Sequence, residues 1–557
     1  MKRQRILLSR LLFVCGLTIS TMLVSCDSFG VQEDEKKVDY LAVQIDENDS
    51  WSIIDTEGKV IVDREYDKDD HVSSIYDGGV YWVYSKNKYR LYSIESPKKA
   101  ISDKEYDKVT GFREGMAFVS INGQPIIMID GKGNHIKSLS KDVAIVYEFR
   151  NGMAPYQDQA GKFGYLNKSG EIQIPASYKN AHNFGCGVTC VYSGDDGKTV
   201  SLIDKKGNTI KTWNNDKYNP YDAASEDKWG VRVDIDSDNP SVTYLDLKGN
   251  ELFGKIKDYT WPEKFSGGYA VIDNYTNEDY AVINDKGEKV IRGGKYKHIR
   301  NMGNGTFCVK KGDKYGVVDA EDNTLVKFDY DDNYFYRLGD NYIMKSGNYY
   351  VVVTPKGEEI KKTEFRNYSS GILSSTAEYV DLQAIVDLFT QDVSTKGVVC
   401  CNGHNDLPSI AKIIDFKLDS CETYHDLIKS TITKGKWTVT RVLQFTQYMK
   451  TEKFHEEKVN DGWFESTRYV SDGYQWNPDS KLKYMTVSME LPAEYHKSFI
   501  SLLEKSIKQK GFKKKKDEDY YYCGSGNNEK RMKISSTEYN NLVEMTFVTN
   551  SEYLFYI

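Results

Sequence analysis

Proline is scarce in this sequence, 11 of 557 residues, and no apolar run reaches the roughly 20 residues that a membrane-spanning helix needs. Basic stretches are nearly absent too. The formal net charge is −7, and beyond the first ten residues only Lys513–Lys516 forms a basic run, which excludes a nucleic-acid partner. The chain contains no P-loop, no nucleophile elbow, no His-Glu-x-x-His and no glycine-rich dinucleotide motif, so no enzyme class is named by a local signature. What is abundant is tyrosine (42) and glycine (43), the composition of many short strands joined by tight turns. At 557 residues the chain is too long for one core, and two or more domains are expected.

The first thirty residues follow the order of an export signal. Lys2, Arg3, Arg5 and Arg10 precede the apolar run Leu11 to Val24, which gives way to Ser25 and Cys26. Leu23-Val24-Ser25-Cys26 resembles the lipobox of bacterial lipoproteins. That resemblance implies cleavage after residue 25 and acylation of Cys26 by palmitate-type chains that hold the mature protein on a membrane. Residues 1–25 are then the signal peptide, and the polar residues 26–39 are the acylated cysteine and its tether. The expected location is the cell envelope, most simply the outer membrane, facing the periplasm or the outside.

Residues 40–368 are repetitive. The clearest unit, Phe149–Tyr178, recurs in pieces from Phe112, Phe265 and Gly305. Aligned on one turn position, the copies fall at Gly58, Lys98, Gly133, Gly170, Gly207, Gly249, Gly287, Asn323 and Gly357, nine units at steps of 34 to 42 residues. Each unit reads as three strands of alternating apolar residues bounded by Gly, Asp and Asn. The turn pairs an aspartate (Asp55, Asp130, Asp204, Asp285) that bonds backbone amides with a glycine that accepts positive φ. Recurrence at a fixed structural place marks these residues as turn formers, since catalysis brings unlike groups together once. Asp234 to Asn239 has oxygen-bearing residues at alternate positions, but Leu245 stands where a calcium loop needs an acid, so the stretch reads as a solvated loop.

Lys162-Phe163-Gly164-Tyr165 and Lys314-Tyr315-Gly316-Val317, with Ile174-Pro175-Ala176-Ser177-Tyr178, resemble the WG-repeat family of bacterial proteins, named for a Trp-Gly or Phe/Tyr-Gly pair opening the second strand of the unit. Most copies lack the tryptophan, and Lys228-Trp229-Gly230 lies elsewhere in its unit. Units of three short strands must stack to bury both faces, as a closed propeller-like ring or an open β-solenoid. The ring is favoured because the array starts in mid-unit at Tyr40 and stops just before the matching strand would begin again.

Beyond residue 369 helical spacing appears. Leu382, Ile385, Val386 and Phe389 share one helix face, as do Phe499, Leu502, Leu503 and Ile507. Strands are expected at 436–445, at Met485, Val487, Met489 and Leu491, at 531–535, and at Val543, Met545 and Phe547. Residues 369–557 therefore read as an α+β region. Cys401, His404, Cys421 and His425 have spacings that suit a tetrahedral zinc, whereas a Cys401–Cys421 disulfide (or one through Cys400) is the simpler chemistry for an exported chain; unpaired buried thiols and a catalytic Cys–His pair are the other readings. Cys186 and Cys190, four apart on one strand, and Cys308 read as core thiols. No cofactor is expected. The fold as a whole is expected to be mainly β, with the repeats a non-catalytic platform for an envelope protein or glycan; the alternative is a hydrolase whose chemistry lies in the C-terminal domain, with the repeats presenting substrate.

Overall fold

The computed structural model describes residues 37–548 except 46–49, 77, 195, 216–217, 221–222, 234–239, 275–277, 334–336, 370–375, 392, 395–396, 399–425, 435–436, 448–449, 461–464, 478, 515–519, 524–529 and 538–540. Two compact units divide between Tyr379 and Val380.

The first unit is a nine-bladed β-propeller. Blade 1 spans 41–66, blade 2 71–106, blade 3 108–138, blade 4 143–178 and blade 5 180–214. Blades 6 to 9 span 219–257, 261–291, 298–330 and 332–365. Each is a small antiparallel sheet. The second strand of a blade, such as Val188–Ser193, is almost wholly buried, whereas the fourth, such as Thr209–Asn214, is mostly exposed, so strands run in order from the centre of the ring outward. Blades have four strands, not the three expected. The innermost is often only two residues long (Lys108–Val109, Trp261–Pro262), too short to show an alternation in sequence. In blade 2 the bridge between Tyr89 and Tyr106 stands in place of the fourth strand.

The ring is closed. The innermost strand of blade 1 is Asn367–Tyr368, from the far end of the repeats, paired with Gln44 and Val43. Lys37–Val38 pairs in parallel with Arg337–Leu338 of blade 9, and Asn341 Nδ2 donates to Thr56 O at 2.8 Å. The core is accordingly a set of seams, one at each junction. Leu41, Val43 and Ile54 of blade 1 pack on Leu338, Ile343 and Val352 of blade 9. The junction of blades 4 and 5 is made in the same way by Tyr165, Ile174, Val191 and Ile203.

After the ring closes, Ala377–Glu378 adds a further strand to the inner edge of blade 4, against Ile145 and Val146. Glu378 reaches Lys108 of blade 3 at 2.8 Å, and Tyr379 is buried with Phe118 and Tyr156. This is why the first unit continues past residue 368.

The second unit is an antiparallel sheet of seven strands. Its order is Leu427–Lys434, Trp437–Phe445, Leu482–Glu490, Leu542–Val548, Lys530–Thr537, Tyr520–Cys523 and Lys513–Lys514. Val439, Leu443, Met485, Val487, Met545 and Phe547 line one face and pack on two helices, α1 (Leu382–Thr390) and α2 (Ala493–Gln509), which meet at Phe389 and Phe499. Asp381 caps α1 by accepting from Ala384 N. A separate ribbon pairs Lys450–Asn460 with Glu465–Trp476.

A closed ring makes the seam between blades 9 and 1 equal to any other. Ile54→Ala and Ile203→Ala, both fully buried, should each destabilise the ring by about 2–5 kcal/mol in urea unfolding. A cost for Ile54→Ala far below that of Ile203→Ala would mean that the terminal seam is not formed in solution.

Candidate functional site

Because strands within a blade alternate in direction, the two ends of the ring differ. One end carries the turns between strands one and two and between strands three and four. The other carries the turns between strands two and three together with the crossings to the next blade.

At the first end side chains are committed to backbone. Glu114, Asn151, Cys186 and Glu226 each occupy the first central position of a tight turn with φ between 49 and 54°, followed by a second residue of positive φ, the two-residue hairpin that matches strand twist. Each reaches forward to cap the same turn of the next blade. Glu114 accepts from Gly152 N (3.0 Å), Asn151 from Gly187 N (2.8 Å), Cys186 Sγ from Asp227 N (3.5 Å) and Glu226 from Gly267 N (2.7 Å). Cys186 thus sits in a turn and not on a strand as its spacing from Cys190 suggested. The other turns use Asx caps. Asp55, Asp130 and Asp204 each accept from the amides two and four residues on, and Gly58, Gly133 and Gly207 take positive φ there. Asn167 and Asp246 do the same before Gly170 and Gly249. In the unit of Gly287 the cap is Asn284, one residue before the expected Asp285. In the next unit the left-handed position is Asp322 (φ 68°), one before Asn323, so the shorter sequence match was displaced by one.

At the opposite end the third strand opens with an aromatic residue facing another on the fourth: Trp51 with Tyr66, Tyr89 with Tyr106, Phe163 with Tyr178, Tyr315 with Tyr330, Tyr350 with Phe365. Where a glycine follows, after Phe163 and Tyr315, it is a packing requirement. A Cβ on Gly164 would lie 2.5 Å from Ile174 O, and one on Gly316 2.6 Å from Val326 O, at the bulge where the fourth strand bends inward.

Beside these pairs, the innermost strands present a half-buried rim that includes Arg366, His71, Lys108, Trp261, His298 and Asp332. The His298 ring stands edge-on to Tyr280 (5.1 Å) and Tyr315 (6.1 Å), His71 lies 6.4 Å from Trp51, and the Arg232 guanidinium lies 4.3 Å over Trp261. Burial, reinforced by Arg300 and Lys310, lowers the His298 pKa to about 4, leaving a neutral imidazole at neutral pH. Asp273, directly across from Trp261, is buried; that burial, and then Glu263, raises its carboxyl to about 8. The rim therefore combines aromatic faces and the neutral His298 imidazole with a few cations and the Asp332 side chain, the equipment for stacking on and hydrogen-bonding a peptide or a sugar.

Sequence reading did not find this rim. Its residues lie on the short inner strands, where the repeat pattern is weakest, and the available signal was the scatter of His and Trp between units. Cys190 and Cys308 are buried thiols at matching second-strand positions, and burial pushes Cys308 up to about 12. Cys26, Cys400, Cys401, His404, Cys421 and His425, and the stretch Asp234–Asn239, lie outside the described residues.

The folded carboxyl of Asp273 keeps its proton up to about pH 8 while the unfolded one loses it near pH 4, so stability falls as pH rises between them. His298 acts oppositely between about pH 4 and 6.5, because there the unfolded imidazole takes up the proton. Above pH 6.5 Asp273 acts without that opposition. Asp273→Asn should flatten the decline from pH 6.5 to 8 by about 2 kcal/mol in urea unfolding, and an unchanged slope would show that the ionised carboxylate is compensated.

No curated protein matches the chain. Among solved structures, a computationally designed protein, Ika8, aligns over 54% of this chain and 97% of its own at 11% identity and a TM-score of 0.32. BamB from Moraxella catarrhalis aligns over 52% and 96% at 11% identity and a TM-score of 0.29. The WD40 domain of SCAP from fission yeast aligns over 59% and 95% at 13% identity and a TM-score of 0.31. The WG containing repeat matches residues 51–89, 99–124, 163–195 and 280–315, and in those segments of blades 1 to 5, 7 and 8 the ring is similar to that repeat family.

Proposed function

We propose that this protein is a cell-envelope lipoprotein, held by acyl chains on Cys26, whose nine-bladed ring is a non-catalytic scaffold that engages an envelope protein or glycan at its aromatic rim. The observation that carries the reading is the makeup of the rim. Carboxylates cap backbone amides at both ends of the ring, those of Asp158 and Asp196 beside the rim included, and the rim in addition presents Trp261, His71, His298, Arg232 and Arg366 around the centre. Aromatic and arginine side chains are the residue types that dominate binding energy at interfaces. The match to WG repeats supports an interaction scaffold in the same sense. The signal-like opening, ending at Cys26, supports export and a lipid anchor in the cell envelope.

A photo-crosslinking residue placed in living cells at Trp261 or His71 should capture one reproducible partner, and the same residue at Lys132 or Lys206, on turns at the opposite end, should not. Equal capture from both ends, or none from the rim, defeats the assignment. Cys26→Ser should abolish incorporation of labelled palmitate and release the protein from the membrane fraction. Retained acylation in that variant would place the lipid elsewhere.

A further inference from the structure

The ribbon of the second unit is built as an exposed strip. Among the described residues its strands Lys450–Asn460 and Glu465–Trp476 pair only with each other, and an isolated two-stranded ribbon is marginally stable at best in water. Cross-strand polar pairs brace it. Glu457 bonds Arg468 at 2.9 and 3.0 Å, and His455 bonds Asp472 at 2.7 Å.

The registered pairs Glu452–Tyr474, Phe454–Ser471 and Glu456–Tyr469 put three aromatic side chains on one face. They are more exposed than such residues normally are: Phe454 55%, Tyr469 69% and Tyr474 45%. Successive rings sit two residues apart along the ribbon, about 7 Å at the rise of an antiparallel strand. Two carboxylates alternate with them. Glu456 accepts from the Tyr469 hydroxyl at 3.0 Å, and the Lys450 ammonium lies 5.9 Å over Tyr474.

Size and charge select the occupant. An 11-residue ribbon is about 37 Å long and about 10 Å wide, so one face offers roughly 370 Å². That is about half of the ~800 Å² per partner that a stable protein interface buries, and it disfavours both a globular partner and a second copy of this chain. Between Lys450 and Trp476 there are four basic and six acidic side chains, a net charge of −2, which repels polyanions such as nucleic acid, anionic lipid or a sulfated glycan. A narrow, linear, uncharged ligand rich in hydroxyls matches what remains: pyranose faces stack on the rings, and hydroxyls donate to the carboxylates.

The geometry points to the aromatic face of the 450–476 ribbon as a binding strip for a single chain of neutral polysaccharide. This strip shares no residue with the rim of the ring, and it stands or falls independently of the scaffold function proposed above.

Affinity electrophoresis of the full chain tests it, with a soluble β-1,3-glucan, an α-1,6-glucan and an α-mannan as probes and sulfated dextran as the polyanion control. At least one neutral polysaccharide should retard the protein and sulfated dextran should not. Phe454→Ala and Tyr469→Ala should each weaken that retardation tenfold or more, and Glu456→Gln should weaken it severalfold. All three positions are exposed, so the thermal unfolding midpoint should stay unchanged and report that loss of binding is not loss of fold. Lys206→Ala, on an exposed turn of the ring, should leave retardation as it was. Failure of all three neutral probes overturns the proposal, as does retardation that survives both aromatic substitutions. A concentration-dependent dimer abolished by Tyr469→Ala would assign the face to a second copy and overturn it equally.

Discussion

The ring depends on its closure, the contact of blade 9 with blade 1. Each blade is a thin sheet with apolar side chains on both faces, so it is stable only between two neighbours. An open array leaves two apolar faces in water; a ring leaves none. Bringing Val43 to Tyr368 closes a loop of ~330 residues, for which (3/2)RT ln n is on the order of 5 kcal/mol. Burying Leu41, Val43, Ile54, Leu338, Ile343 and Val352 at roughly 1.5–3 kcal/mol each exceeds that cost. The sharing of blade 1 between both ends of the repeat segment follows, since the backbone bonds between Asn367–Tyr368 and Val43–Gln44 are then made only in the closed form.

Closure sets the division between the two ends. The turns at one end are held from blade to blade through side chains such as Glu114, Asn151 and Glu226, whose left-handed backbone points them forward along the ring. The opposite end caps turns too, as Asp158 and Asp196 do, and in addition holds unlike groups in place. There the aromatic opening the third strand braces the rim, as Tyr280 and Tyr315 do for His298 and Trp51 does for His71. The Phe-Gly and Tyr-Gly pairs are therefore structural in their glycine and double in their aromatic residue, which packs the blade and shapes the rim together.

The strand at Ala377–Glu378 shows that the inner edges remain competent to pair. It takes the free edge of blade 4, and its Glu378 satisfies the partly buried Lys108 of the neighbouring blade. In the second unit the same logic is inverted: the seven-stranded sheet buries one face under α1 and α2, while the ribbon from Lys450 to Trp476 keeps its aromatic residues in water.

Much of this was legible in the sequence by itself. Strand alternation and the Asp/Asn-x-x-Gly turns are local, encoded by side-chain period and by the few residues that cap amides or accept positive φ, so nine units and their turns could be counted directly. Even there, short matches slipped by one residue at Asp285 and Asn323, because Asn and Asp are interchangeable in the cap and a left-handed aspartate can replace the glycine. The tertiary structure alone decided the innermost strands, which two residues cannot announce, and the rim, whose members lie as far apart as His71 and Arg366 and meet only because curvature brings nine blades around one centre. It also decided the face shared by Phe454, Tyr469 and Tyr474, since a bulge between Lys453 and Phe454 sets the register that no spacing along one strand could fix.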